Sequence, residues 1–105
     1  MGECGTSSSG DTILAGEHTS CGFAGAMFDA AMNTTFVLKG GPQTEPMYHT
    51  PGDIDVTYNG VTYKVSCLVG TPSNMSCTKQ EGPSATAAFH YKGVGAGWPD
   101  VLQTQ

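Results

Sequence analysis

Four cysteines are the most informative reactive side chains in this sequence, and they stand at Cys4, Cys21, Cys67 and Cys77. None of them forms a C-x-x-C pair, whereas structural zinc sites commonly place thiolates two to four residues apart. The spacing therefore favours two disulfides over a zinc site, and disulfides favour an oxidising compartment. Four cysteines allow three connectivities, so the pairing needs a further argument from the surrounding strands.

Three histidines, His18, His49 and His90, are the candidate bases for nucleophilic catalysis. A serine or threonine nucleophile needs such a base within reach and a third group that orients the base. Hydroxyl residues are abundant, but no G-x-S-x-G turn orders them, so we assign no catalytic residues. We expect a protein that is not an enzyme, and an envelope hydrolase that uses His49 or His90 is an alternative hypothesis.

Met47, His49 and His90 combine a thioether with two imidazoles, which is a ligand set that suits copper. The competing interpretation places His49 in a loop and His90 on the polar face of a strand, with both rings solvated. Asp53 and Asp55 could contribute to a weak cation site, and a wet strand face explains them equally well. We expect no metal and no cofactor, and copper binding stays an alternative.

Composition limits the class of protein. The chain has 105 residues, a net charge of −5 and no arginine. Nucleic-acid phosphates are bound by clustered cations, so we expect no nucleic-acid partner. Many glycine, serine and threonine residues with few charges are typical of extracellular β-rich domains, and no segment approaches transmembrane length. The length predicts one domain, small enough that disulfides add appreciably to its core.

Residues 54–78 contain the strongest secondary-structure signals. Asn59-Gly60 tolerates the positive φ angles of a type I′ turn, and alternating apolar and polar residues flank it. Period-two alternation places the apolar residues of both strands on one face and leaves the other face wet. This register pairs Tyr58 with Val61, Val56 with Tyr63, and Ile54 with Val65.

A second turn supplies an argument for the cysteine pairing. Counting outward from Pro72 places Cys67 opposite Cys77. Directly opposed residues on antiparallel strands can lie within disulfide-bonding reach. We therefore favour Cys67 with Cys77, which leaves Cys4 with Cys21, and the other two connectivities remain open.

An amphipathic helix is predicted from about Ser20 to Met32. Thr19 or Ser20 is the expected N-cap, and Asn33 suits the C-terminal cap because it tolerates the left-handed conformation. Apolar residues recur at helical spacing and form one stripe. The stripe contains Phe23, Ala24, Met27, Phe28 and Ala31.

Two glycines lie inside the predicted helix, at Gly22 and Gly25. Each weakens a helix by roughly 1 kcal/mol relative to alanine, so a compensating reason is needed. Close packing of the helix against a sheet is the simplest reason, and we expect it at both positions.

We predict an α+β fold in which one N-terminal helix packs on an antiparallel sheet of about four strands, supported by two disulfides. Residues 1–18 are expected to form an extended lead, residues 19–92 the α+β core domain and residues 93–105 a glycine-rich, irregular tail. Within the tail, Trp98 either folds back onto an apolar surface or contacts a partner, and Tyr48 is a second candidate for partner contact. Further strands are expected at residues 35–39 and 85–91 and a loop at residues 79–84, and within the loop region before Gly52 residues 47–49 could run along a sheet edge.

Three segments together carry a family resemblance: HTSCGFA at residues 18–24, VTYKVSC at residues 61–67 followed by Cys77, and an alanine-rich strand that ends in Phe89. The combination resembles small extracytoplasmic domains of actinobacteria, including mycobacteria, which are secreted or membrane-anchored and which their phages can also carry. The resemblance spans roughly residues 4–91. It implies an exported, disulfide-bonded domain and supplies no catalytic residues.

The leading functional hypothesis is a non-enzymatic binding or interaction domain outside the cytoplasm, at the cell envelope or on a phage-derived particle. Its expected partner is a protein or a cell-envelope component. If the tail is the contact surface, deleting residues 93–105 should weaken partner capture without unfolding the domain. A structural virion or cell-wall component, which would self-associate, is the third hypothesis.

No apolar run typical of a signal peptide follows Met1. Two explanations are compatible with an exported domain. Either Met1 is an expression start placed before a mature secreted domain, or the chain is native as written and reaches the outside by assembly, for example as part of a virion.

Overall fold

The structure is a computed structural model that describes residues 2–7, 10–39, 47–71, 73–79, 85–92, 97–98 and 102–104. The predicted loop at 80–84, the turn residue Pro72 and most of the tail lie outside these residues. The described residues form one helix, α1 (Cys21–Met32), and nine strands. The strands are β1 (Gly2–Thr6), β2 (Thr12–Ala15), β3 (Thr35–Lys39), β4 (Met47–His49), β5 (Ile54–Tyr58), β6 (Val61–Thr71), β7 (Asn74–Lys79), β8 (Ala85–His90) and β9 (Gln103–Thr104).

The strands join in one large sheet that dominates the described residues, so the predicted α+β fold with an antiparallel sheet of about four strands was wrong. Their order is β1-β2-β8-β7-β6-β4-β3-β9, and β5 pairs with β6 beside this path. The sheet is mixed, because β3 and β9 run parallel while the other pairs are antiparallel. The polar segment Gly2–Thr6 shows no apolar alternation. It pairs because the β2 edge offers main-chain groups that need partners.

Strand β6 is the centre of the sheet, with 11 residues. One of its edges serves two partners, because β5 pairs with its first half and β4 with Leu68 and Val69. Between β5 and β4, Thr50 forms hydrogen bonds with the main chain of Cys67 on the same edge. Its N–H donates to the Cys67 carbonyl at 3.0 Å, and its Oγ1 accepts from the Cys67 N–H at 3.1 Å. Buried Thr50 thus completes the hydrogen bonding of this edge.

The predicted register of the β5–β6 hairpin is confirmed at every pair, from Ile54 opposite Val65 to Tyr58 opposite Val61. The turn residue Asn59 has a φ of 52°, and Gly60 has a φ of 78°. Both angles lie in the left-handed region that a type I′ turn requires. On the face predicted to be wet, Ser66 is half-buried and the other residues are exposed: Asp55, Thr57, Thr62 and Lys64.

Both favoured disulfides are present. Cys67 and Cys77 are directly opposed on β6 and β7, with their Cα atoms 4.0 Å apart, and both are buried. Cys4 on β1 is bonded to Cys21, the first residue of the helix. The first disulfide therefore lies in the core, and the second ties the N-terminal strand to the start of α1.

Helix α1 begins and ends close to the predicted residues. Ser20 is the N-cap, and its Oγ accepts a hydrogen bond from the Phe23 N–H at 3.1 Å. All residues of the predicted apolar stripe are buried. Asn33 follows the last turn, but its φ is −99°, so the left-handed conformation expected of it was wrong. Its N–H instead donates to the Ala30 carbonyl at 3.2 Å.

Trp98 folds back into the core, which is the first of its two predicted placements. Its side chain is fully buried, and its Nε1–H is shared between the carbonyls of Ser73 (3.2 Å) and Phe89 (3.1 Å). Farther along, Leu102 is also buried and β9 pairs with β3, so this part of the tail is regular. Deleting the tail would open the core, which corrects the expectation that the domain tolerates the deletion.

Candidate functional site

A pocket with a volume of about 390 Å³ lies where the start of α1 meets one end of the sheet. This volume is within the usual range of small-molecule sites. We call it the aromatic pocket. Its lining includes His18, Ser20, Phe23, Tyr58, Tyr63 and Lys79.

Three aromatic rings form one side of the aromatic pocket. The ring of Phe23 stacks on that of Tyr58 with centroids 5.8 Å apart, and it tilts against that of Tyr63 at 5.0 Å. Such pairs contribute about 0.5–1.5 kcal/mol each beyond the burial of their area. Phe23 is buried, whereas both tyrosines are only half-buried. The rings therefore hold one another in place while the tyrosines stay accessible to a ligand.

The β5–β6 hairpin places the two tyrosines side by side. Tyr58 is opposite Val61 and Tyr63 is opposite Val56, so the tyrosines are diagonal neighbours on the helix-facing side of the sheet. Diagonal neighbours on one face are within reach of aromatic side chains. The Asn-Gly turn that sets the register therefore also sets the geometry of this wall.

Gly22 makes room for one of these tyrosines. A Cβ added at Gly22 would lie 2.9 Å from Tyr58 Cζ and closer still to its hydroxyl oxygen, so any other residue would displace the ring. A Cβ added at Gly25 would meet nothing within 4 Å. The close packing expected at both glycines is therefore present at Gly22 and absent at Gly25.

Lys79 supplies a cation to the aromatic pocket. It is the last residue of β7, opposite Val65 and Ala85 on the neighbouring strands, and its Nζ lies 5.5 Å from the centroid of the Tyr63 ring. This is a cation–π contact. Side chains alternate between the two faces along β7, so Lys79 lies on the same apolar face as Cys77. Lys79 was predicted to begin a loop, so this placement was not expected from the sequence.

The segment that carries His18 and Ser20 is held to β8. The Gly16 N–H donates to the Thr86 carbonyl at 2.7 Å, and Thr19 Oγ1 accepts from the Thr86 N–H at 2.9 Å. His18 has a φ of 59°, in the left-handed region, and it is exposed. Ser20 keeps a hydroxyl hydrogen to donate while its oxygen caps the helix. Two polar side chains are thus placed at the rim of the pocket.

The electrostatics of the aromatic pocket differ from those of the chain. Among the described residues that line it there is a lysine and a histidine but no carboxylate. The whole chain has a net charge of −5, with nine acidic residues and four basic ones. The pocket therefore carries local positive charge in an acidic protein, a contrast that favours anionic groups of a ligand.

The residues predicted as copper ligands are not brought together. His49 lies on β4 with Met47, and His90 lies on β8. Strands β6 and β7 separate β4 from β8, which makes roughly 14 Å at about 4.8 Å per strand spacing. Within the described ranges, no cluster of three or more histidine, cysteine or acidic side chains could hold a metal ion.

The remaining predicted site residues lie apart from the aromatic pocket. Asp55 forms an ion pair with Lys64 on the exposed face, and Asp53 is exposed just before β5. Tyr48 is half-buried on β4, opposite Val69, and packs against the core. Partner contact through Tyr48 stays a prediction. The aromatic pocket was not predicted from the sequence, because its residues come from five separate segments.

Comparisons with protein-family models, with curated proteins and with solved structures find no match for this chain. The resemblance to actinobacterial extracytoplasmic domains therefore stays a prediction. In the part of the chain that the structure describes, no helix has both the length and the apolar character needed to cross a membrane. The two disulfides are consistent with a location outside the cytoplasm.

Proposed function

We propose that this chain is a non-enzymatic binding domain that works outside the cytoplasm and takes its ligand into the aromatic pocket. The observation that carries this proposal is the wall of Phe23, Tyr58 and Tyr63 beside the cation of Lys79. A concave site with apolar rings and a few placed polar groups is the usual form of a ligand site. Rings held by one another also cost little entropy to bind.

Binding is favoured over catalysis by the roles that the pocket's polar groups already have. The Ser20 oxygen caps the helix, and the Tyr58 ring packs against Gly22. A nucleophile needs a base that contacts it and a group that orients the base. The contacts of these side chains serve to hold the wall in place, which is what a binding site requires.

The setting we propose is an actinobacterial cell envelope or a phage-derived particle, and the partner is a protein or an envelope component that presents the ligand. Support for the compartment comes from the two disulfides, one of which is buried in the core. Support for the setting comes from the resemblance of residues 4–91 to exported domains. The ligand is expected to be a ring-bearing group small enough for a pocket of about 390 Å³.

The test is an NMR titration of the ¹⁵N-labelled, disulfide-bonded protein with single ring compounds, both neutral and charged, drawn from sugars and phenols. At least one compound should shift the amide signals of Phe23, Tyr58, Tyr63 and Lys79, and it should be recovered chemically unchanged. Tyr63→Leu should lose this response. The matched control Tyr48→Leu, which removes a tyrosine from β4, should retain it.

Two outcomes would contradict the proposal. One is a ligand response confined to the region around Tyr48, which would place the contact surface elsewhere. The other is turnover of a compound that occupies the pocket. Sedimentation of the same samples tests the third hypothesis, because a structural virion or cell-wall component is expected to self-associate.

A further inference from the structure

We infer that the aromatic pocket selects an acidic sugar residue, with the sugar ring against the tyrosines and its carboxylate paired with Lys79. The inference rests on the proposed function and names the ligand class for the same pocket. It follows from three features of the lining: the cation, the combination of aromatic rings with hydrogen-bonding groups, and the lack of a carboxylate among the described lining residues.

The first feature is the position of the Lys79 ammonium. Its Nζ is 5.5 Å from the Tyr63 centroid, so a ligand that reaches the ring also reaches the cation. An ammonium has three donors and can add a carboxylate to the contacts it already makes. Hydrogen bonds between charged groups are about twice as strong as neutral ones. An acidic group on the ligand therefore has a specific partner in the pocket.

The second feature is the combination of rings with hydrogen-bonding groups. Tyr58 and Tyr63 are half-buried and present both ring surface and a hydroxyl. Ser20 and His18 add a hydroxyl and an imidazole at the rim. A purely apolar ligand would remove these groups from water without replacing their hydrogen bonds, which costs more free energy than a typical hydrogen bond contributes. A polyhydroxylated ring satisfies them while its apolar side covers the aromatic wall.

The third feature is the absence of any carboxylate among the described lining residues, in a chain of net charge −5. A like charge would repel an acid, and the described residues that line the pocket carry none. The acidic remainder of the surface repels anions in general, so the pocket is where an anionic group gains a cation partner. Recognition of the acid should weaken as salt screens this pair.

The experiment measures binding of methyl β-glucuronide and its neutral counterpart, methyl β-glucoside, by calorimetry or NMR titration. The acid is expected to bind about tenfold more tightly at about 50 mM salt, and the difference should shrink at about 500 mM. Lys79→Met should reduce the affinity for the acid to that for the glucoside. Lys79→Arg, which keeps the positive charge, should retain most of the preference.

Lys64→Met is the matched control, because Lys64 is on the opposite face of the neighbouring strand and its loss changes the net charge by the same unit. It should leave both affinities unchanged. If Lys64→Met and Lys79→Met weaken acid binding equally, the effect is one of overall charge and the inference is overturned. Should Lys79→Met fail to fold, Lys79→Arg and the salt dependence of the parent protein decide the question.

The outcomes separate this inference from the proposed function. Equal binding of the two glycosides would overturn selection of an acid and leave the pocket as a binding site. Tighter binding of benzoate than of methyl β-glucuronide would overturn selection of a sugar. If neither glycoside binds but another ring compound occupies the pocket, only this inference is overturned. If no ring compound occupies the pocket either, both proposals are overturned.

Discussion

Helix α1 has a phenylalanine near each end, and the two rings have different surroundings. The Phe28 centroid lies 5.2 Å from that of Phe89 and 5.9 Å from that of Trp98. The Tyr91 centroid lies 5.5 Å from that of Trp98. Trp98 is fully buried and its N–H is satisfied by main-chain carbonyls. We call Phe28, Phe89, Tyr91 and Trp98 the closed cluster.

Phe23, at the other end of the helix, belongs to the aromatic pocket. Its neighbours Tyr58 and Tyr63 are half-buried, and Lys79 lies over one of the rings. Both ends of the helix therefore use aromatic pairs of similar spacing. At the Phe28 end, Trp98 completes the aromatic packing. At the Phe23 end, the Lys79 cation and hydroxyl groups lie beside the rings instead. The closed cluster packs within the core, whereas the aromatic pocket is the site that we propose for binding.

The largest effect is expected in the closed cluster. Trp98→Ala should lower the free energy of unfolding by about 3–5 kcal/mol, because it leaves a cavity between the helix and the sheet. The midpoint of urea denaturation measures this loss. Leu38→Ala, at a side chain that is 53% exposed, is the control and should change stability by less than about 0.5 kcal/mol. Equal midpoints for the two variants would show that the indole does not support the core.

The disulfide at the pocket end should rank next. Replacing Cys4 and Cys21 together by serine removes a cross-link between residues 17 apart and should cost about 3 kcal/mol of stability. Because Cys21 begins the helix, amide signals of the aromatic pocket should also shift, while the Trp98 indole signal stays in place. A Trp98 shift as large as those of the pocket would show that the two ends are not independent.

The two helix glycines give a matched pair of smaller effects. Gly25→Ala should stabilise the protein by about 0.5–1 kcal/mol, because alanine favours the helix and its Cβ meets nothing. Gly22→Ala should be about 1–3 kcal/mol less stable than Gly25→Ala, because it displaces Tyr58. It should also abolish ligand binding in the folded protein. Equal stability and unaltered binding in both variants would contradict the role given to Gly22.

The N-cap hydrogen bond is expected to contribute less than the disulfide and the closed cluster. Ser20→Ala removes the acceptor of the Phe23 N–H and should cost about 1 kcal/mol. Ser20→Asp keeps an acceptor at this position and should retain the stability of the parent protein. Thermal unfolding of the two variants measures the difference. If the alanine variant is the more stable one, capping by Ser20 does not hold the first turn.

Local signals predicted much of the molecule correctly. The Asn59-Gly60 turn determined the register of β5 and β6, and the same counting along β6 and β7 identified the Cys67–Cys77 pair. The helix and its buried stripe followed from apolar spacing. These features depend on neighbours in the chain, for which turn chemistry and side-chain period are strong guides.

Sequence reasoning failed where pairing is between distant segments. Strand β2 joins β8, and β9 joins β3, although the intervening chain is long in each case. No local sequence pattern predicts which strand edge a short polar segment will pair with. Trp98 was left between two placements for the same reason, since its packing depends on where Phe28 and Phe89 meet.

The sequence by itself determined the hairpin registers and the helix, and it favoured the cysteine pairing that the structure contains, because turn geometry and alternation act over a few residues. Only the tertiary structure decided that nine strands share one sheet and that Trp98 is buried. It also decided that Lys79 lies over the ring of Tyr63. The physical reason is that unpaired strand edges and apolar surfaces are satisfied by whichever segment the folded chain brings to them, so their partners are a property of the whole fold.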